Sequence, residues 1–514
     1  MSKKIKIILG TGFILLLILA AGIYLYIKKT APPGEEWISY GSEKVIESID
    51  GQLQGMDIEQ IVKDKEKYVV GKSVQDIQDS IKEGRLNYEE LTAICLHRIK
   101  TLDQKEKGYN SVISVNPNAI EEARERDSRY SENQEQISGI YGIPVMLKDN
   151  INTADMPTSA GAEAFSDFYP SEDAALVKNL KKNGAIILGK NNLSEFANYV
   201  SSVMPAGYSG RKGQTVNPYA PLKISPSGSS SGSAVAVTAD LAPVSIGTET
   251  DGSIIAPSSA NSVVGFKPTR GSIPGEGIFP LIKKVDTAGP VAKSVKDAAA
   301  AYNAASDDQI SLDFQEDTLA GKRIGLAGYE YNDEEMLSEL SNKLKEMGAN
   351  VVDVELNSED VFVFNTISLS FEKDFEEYAR AYNLPIKTLS DLLAYNREEP
   401  ERRIKYGQDW LEEAEKSADP ASDEMEQSIQ KAEEVLDSLF NDEKLDAIVF
   451  LNSTGSTIPA AAGYPELTVP FGKDKKGVPQ GATFVTRQGE EEKLLNLGYG
   501  FESQVDGRLP LSQD

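Results

Sequence analysis

The chain has 514 residues, enough for three or so domains of about 150 residues or for one large α/β domain. With 40% hydrophobic and 26% charged residues it is not disordered over most of its length, and 53 Lys and Arg against 80 Asp and Glu give a formal net charge of -27, which repels nucleic-acid phosphates. One cysteine, Cys95, and one histidine, His97, exclude an intrachain disulfide, a cysteine-based metal cluster and a multi-histidine metal site, and a Ser-His-Asp triad would depend on His97 alone.

Lys3, Lys4 and Lys6 precede an uncharged run from Ile7 to Ile27, closed by Lys28 and Lys29. At about 1.5 Å per residue this run reaches roughly 30 Å, the thickness of a bilayer core, and it is longer than the apolar stretch of a cleavable signal. Residues 1–29 are therefore expected to form a signal anchor, a single transmembrane helix with its short end inside and the rest of the chain outside the cytoplasm at the cell membrane. The alternative is cleavage near Ala20-Ala21-Gly22 and secretion. Residues 30–72, with Pro32-Pro33-Gly34 and no long apolar periodicity, read as a stalk or linker.

From Ser73 the pattern changes. Leu91, Cys95 and Ile99 recur at helical spacing, which places Cys95 on a core-facing stripe as a buried structural thiol and leaves His97, beside Arg98, on the surface. Gly142 to Leu147 reads as a buried strand leading to Lys148-Asp149, residues 173–182 as a helix with Ala174, Val177 and Leu180 on one face, and Ala185 to Leu188 as another strand. Strand, helix, strand argues for α/β layers. The serine-rich stretch from Ser225 to Ser233 would alone read as a flexible linker, but Ala234-Val235-Ala236-Val237 follows at once and leads it into the core. A second glycine-bearing loop runs from Gly247 to Pro257. Small residues let main-chain N–H groups approach a ligand closely, so two such loops around one element suggest an anion or oxyanion site. Residues 337–445, rich in acids and helix formers, read as a helical face or excursion whose charge is solvated.

Lys148 within Pro144-Val145-Met146-Leu147-Lys148-Asp149, the serine-rich loop, and Gly247 to Ser253 stand in an order and spacing that resembles the amidase signature family. The resemblance extends from residue 73 to 509, leaving 510–514 as a tail, and includes Gly184 to Asn192, Gly265 to Gly271, Gly463-Tyr464-Pro465, Val469 to Gly472 and Gly477-Val478-Pro479. It implies an α/β fold with a mixed central β-sheet sandwiched between layers of helices. It also implies a Ser-cis-Ser-Lys triad, with Ser253 as nucleophile, Ser229 as the bridging serine after a cis peptide and Lys148 as base. Main-chain N–H groups of Thr250, Asp251, Gly252 and Ser253 would form the oxyanion hole, Ser230 would support the triad, and Asp149 would be a structural hydrogen-bonding residue. Neither a metal nor an organic cofactor is implied. The chemistry is coherent: a serine hydroxyl needs a base, and a lysine serves if burial keeps it neutral near working pH.

Glu249-Thr250-Asp251-Gly252-Ser253 departs from the commoner Asp-Thr-Gly-Gly-Ser, Ile255 and Ala256 stand where an arginine is often found, and Ser227 and Ser231 replace usual glycines. Together with Phe371 to Asp374 and Lys387 to Asn396, these features look like the peptide-amidase-like branch. The expected protein is a membrane-anchored amide hydrolase that releases ammonia or an amine through an acyl-enzyme, with a peptide C-terminal amide as one candidate substrate. Its partners would be a small-molecule or peptide amide and the membrane, with no nucleic acid. Three alternatives remain: a glutaminase subunit of a tRNA-dependent amidotransferase, a lipid-amide hydrolase, and a non-catalytic binding protein on the same scaffold.

Overall fold

A computed structural model describes residues 33–132, 139–329, 332–357, 361, 363–419 and 422–511. The short apolar runs become strands: β1 (Val112–Val115), β2 (Pro144–Lys148), β3 (Ile186–Asn191), β4 (Tyr208–Ser209), β5 (Gly213–Gln214), β6 (Val244–Glu249), β7 (Val264–Lys267), β8 (Thr287–Ala292), β9 (Arg323–Ala327), β10 (Asn350–Val354), β11 (Ala447–Leu451), β12 (Glu466–Lys473) and β13 (Pro479–Val485). Eleven of them form one sheet in the order β1-β3-β2-β6-β8-β7-β12-β13-β11-β9-β10, and β4 and β5 make a separate hairpin. β3, β2 and β6 run parallel, as do β11, β9 and β10; the other neighbours are antiparallel, so the sheet is mixed.

Every residue of β2, β3, β6, β8, β11 and β13 is buried, as strands covered on both faces require. Alternation along β11 makes the two faces visible. Ala447, Val449 and Leu451 enter a core shared with the helices Tyr88–Arg98, Val295–Ala305 and Glu491–Glu502. Ile448 and Phe450 enter a second core shared with the helices Val363–Ala381 and Glu424–Asp442. The sheet thus lies between two helical layers, as the family resemblance implied.

The transmembrane helix expected over residues 1–29 is corrected. No helix among the described residues is long and apolar enough to cross a membrane, and the expected segment lies outside those residues. The longest described helices, Val363–Ala381 and Glu424–Asp442, are 19 residues each and carry charges along their length, including Glu372, Lys373 and Asp374 in the first and Glu433, Glu434 and Asp437 in the second. The described residues thus give no support to the membrane attachment and cell-membrane location expected from that helix.

The expected stalk also differs. Within residues 30–72, Ser42–Leu53 is a helix whose Val45, Ile49 and Leu53 are buried in the first core. Its apolar positions four apart make one stripe, too short a signal to be read beside the flanking charges. The boundary at Ser73 is a helix start: its hydroxyl accepts from the Asp76 N–H at 3.1 Å while the Asp76 carboxylate accepts from the Ser73 N–H at 3.1 Å. Cys95 is fully buried, and burial pushes its thiol up to about 12. His97 is half-buried, with its imidazole held below the usual value by that burial. The stretch 337–445 is largely helical, but it also contains the edge strand β10, of whose five residues only Val354 is buried.

Candidate active site

β2 and β6 lie side by side at the parallel centre of one half of the sheet, and the candidate residues lie at or just after their C-terminal ends. Lys148, the last residue of β2, is fully buried. Its Nζ donates to Ser229 Oγ at 2.8 Å and to the Thr248 carbonyl at 2.9 Å. Burial pushes the amine down to about 7, with the nearby carboxylates of Asp286 and Glu249 pulling it part of the way back up. A lysine held this way is neutral in a large fraction of molecules at pH 7 and can accept a proton.

Ser229 precedes the buried helix Ser231–Thr238, and the Gly228–Ser229 peptide bond is cis. That helix packs tightly onto the sheet because residue 232 is glycine: a Cβ there would lie 2.4 Å from the Asn192 carbonyl oxygen and 2.5 Å from that of Ser111. Ser230 Oγ donates to the Thr248 carbonyl at 3.0 Å and accepts from the Thr248 N–H at 3.2 Å, fastening the serine loop to β6.

The loop after β6 carries Thr250 to Ser253. Gly252 has a φ of +72°, a backbone conformation that L side chains rarely adopt. The Glu249 carboxylate accepts from the main-chain N–H groups of Ile254 at 2.6 Å and Ile255 at 3.0 Å, which fixes the way the loop enters the next turn. Thr250 Oγ1 donates to Asp286, whose other oxygen accepts from the N–H groups of Leu281 at 2.7 Å and Ile282 at 3.1 Å. Among the described hydrogen bonds, the N–H groups of Asp251, Gly252 and Ser253 have no protein acceptor. Ser253 and Ser229 line one cavity of about 270 Å³, and the Ser230 N–H donates to the Ser253 carbonyl at 3.1 Å. The hydrogen bond from Lys148 to Ser229 is therefore formed, whereas none joins the Ser229 and Ser253 hydroxyls in this structure.

The cavity walls come from farther away. Ala197, Asn198 and Tyr199 follow β3, Leu281 precedes β8, and Val363 and Ile367 come from the helix Val363–Ala381. Among the described residues no Lys or Arg lines it, and Asp251, which accepts from Thr457 Oγ1 at 3.1 Å, is the one acid. Among the described residues no group of three or more His, Cys, Asp or Glu side chains is placed to hold a metal ion.

A family model described as Amidase matches residues 90–450. The chain belongs to the amidase family. It is accordingly an amide-hydrolysing enzyme. It is 42% identical to an amidase family protein from Bacillus anthracis, with a TM-score of 0.90 over 94% of this chain and 100% of the other. It is 36% identical to the native peptide amidase of Stenotrophomonas maltophilia, with a TM-score of 0.80 over 87% of this chain and 99% of that one. A protein of Arabidopsis thaliana described as a probable amidase is 35% identical over 85% of this chain and 91% of its own length.

Within this amidase, the residues that sequence reasoning missed are those placed by tertiary contact. Asp286 gives no local signal in Lys283-Lys284-Val285-Asp286, yet burial pushes its carboxyl up to about 7 and it braces both Thr250 and the Leu281 wall. Asn150, two residues after Lys148, donates to Thr248 Oγ1 at 3.0 Å. Asp149 accepts from Ser159 Oγ and lies 3.2 Å from Arg211 and 3.7 Å from Lys190, a buried network away from the cavity.

Proposed function

We propose that this amidase hydrolyses a neutral carboxylic amide, a C-terminal peptide amide, by way of an acyl-enzyme on Ser253. The observation that carries this reading is the buried Lys148 amine, 2.8 Å from Ser229 Oγ and pushed down to about 7. Lys148 takes the proton of Ser229 as Ser229 takes that of Ser253, once the two hydroxyls turn toward each other across the cavity they share. Ser253 Oγ then bonds to the substrate carbonyl carbon. Its oxygen becomes an oxyanion, which the free N–H groups of Asp251, Gly252 and Ser253 receive, with Thr250 completing the loop that presents them. The relay runs back and protonates the nitrogen, the C–N bond breaks, and ammonia leaves. Water repeats the sequence on the ester, giving the carboxylic acid and free Ser253.

Two features support a neutral peptide amide. The apolar wall of Tyr199, Leu281, Val363 and Ile367, with no lysine or arginine among the described lining residues, offers no cation there to pair with a substrate carboxylate, which disfavours free glutamine. The 36% identity to a peptide amidase points the same way. The test is ammonia release by the full chain over peptide amides, glutamine, small amides and fatty amides, with Ser253→Ala as control. Turnover of peptide amides that drops at least about 10³-fold in the control is the expected result. Preference for glutamine or for fatty amides would overturn the substrate assignment, and activity surviving in Ser253→Ala would overturn the nucleophile.

A further inference from the structure

The segment after β3 contains a backbone feature that the proposed chemistry leaves unexplained. Phe196, Ala197 and Asn198 have φ values of +47°, +55° and +74°, three successive non-glycine residues in the left-handed region. One asparagine there is ordinary, but phenylalanine and alanine beside it are not. The turn is held on both sides. The Phe196 N–H donates to the Ala160 carbonyl at 2.9 Å, and the Phe196 ring packs against Phe165, Phe279 and Phe371. The Asn198 N–H donates to the Ser194 carbonyl at 3.1 Å, and the Ser194 N–H donates to the carbonyl of Ser229 at 3.1 Å. Two hydrogen bonds thus separate Asn198 from the main chain of the residue that Lys148 contacts.

Asn198 lines the catalytic cavity. Its Oδ1 is buried without a hydrogen-bond partner, and no described hydrogen bond engages its side-chain nitrogen, so no hydrogen bond among the described residues holds this carboxamide in one orientation. A buried, unsatisfied amide oxygen is costly unless a ligand supplies the missing donor. The substrate has that donor: a carboxamide nitrogen carries N–H groups that the relay to Ser253 does not use.

We infer that Asn198 is the residue by which the site distinguishes a carboxamide from an ester, its Oδ1 accepting an N–H of the scissile amide once its side chain turns into the cavity. The inference rests on the assignment of Ser253 as nucleophile. As the C–N bond breaks the nitrogen gains a proton and positive character, so the hydrogen bond to Asn198 strengthens along the reaction and acts on kcat more than on KM. An ester leaving group has no N–H and gains nothing from it.

The experiment compares a peptide C-terminal amide with the methyl ester of the same peptide, using the full chain. Asn198→Gly removes the side chain and suits the left-handed backbone. It is expected to lower kcat/KM for the amide by about 30-fold, through kcat, while the ester changes by less than about 3-fold. Asn198→Asp, which restores an acceptor oxygen, should bring the amide to within about tenfold of the native rate. Equal losses on amide and ester, no loss on either, or no recovery in Asn198→Asp would overturn the inference. Ser253→Ala must abolish both reactions; survival of either would instead refute the catalytic assignment on which it rests.

Discussion

At the scale of single residues, the role proposed for Lys148 as base implies a pH dependence. A base works unprotonated, so with its amine pushed down to about 7 the rate falls as pH falls through that value. We expect kcat/KM to level off above pH 7 and to drop about tenfold per unit below it, measured by initial rates of ammonia release from pH 5 to 9. Asp286 titrates in the same window, because burial pushes its carboxyl up to about 7. Its charge raises the lysine, so Asp286→Asn should move the acidic limb to lower pH even where the loosened Thr250 contact lowers the plateau. A limb that stays in place would mean that another group governs it. Lys148, Ser229 and Ser253 could be singled out in the sequence through the resemblance to the amidase signature family, whose motifs carry their own local pattern of serines, glycines and apolar runs. Asp286 and Asn198 could not, since what distinguishes them is made by residues distant in the chain.

At the scale of elements, the serine-rich stretch illustrates how context overrides composition. Ser225 to Ser233 has the makeup of a linker, but Ala234 to Val237 continue a helix buried on every side, and Gly232 lets that helix lie against the carbonyls of Asn192 and Ser111. Gly232→Ala should therefore destabilise the protein by about 1–3 kcal/mol in urea unfolding and reduce turnover, because Ser229 sits at the head of the displaced helix. Normal stability with normal rates would show that the close contact is not needed. The strands β2 and β3 were readable as short apolar runs, whereas β10 was hidden: at the edge of the sheet it has no need of a continuous apolar sequence.

At the scale of the molecule, one mixed sheet divides two cores, and Val45, Ile49, Leu53 and Val69 of the segment expected to be a stalk belong to the first of them. Ile49 is fully buried there, so Ile49→Ala should cost about 2–5 kcal/mol, read as a lower denaturant midpoint. A true stalk would leave the midpoint unchanged. The α/β architecture was legible from alternating strand and helix patterns, but the assignment of Ser42–Leu53 was not, because its partners lie in β1 and in the helix Tyr88–Arg98. Cys95 has a practical consequence of its own. As the chain's sole thiol, sealed in the core and pushed up to about 12, it is expected to react slowly with maleimides and iodoacetamides. A cysteine placed anywhere on the surface would then take a fluorophore or spin label selectively, with the native thiol left as it is.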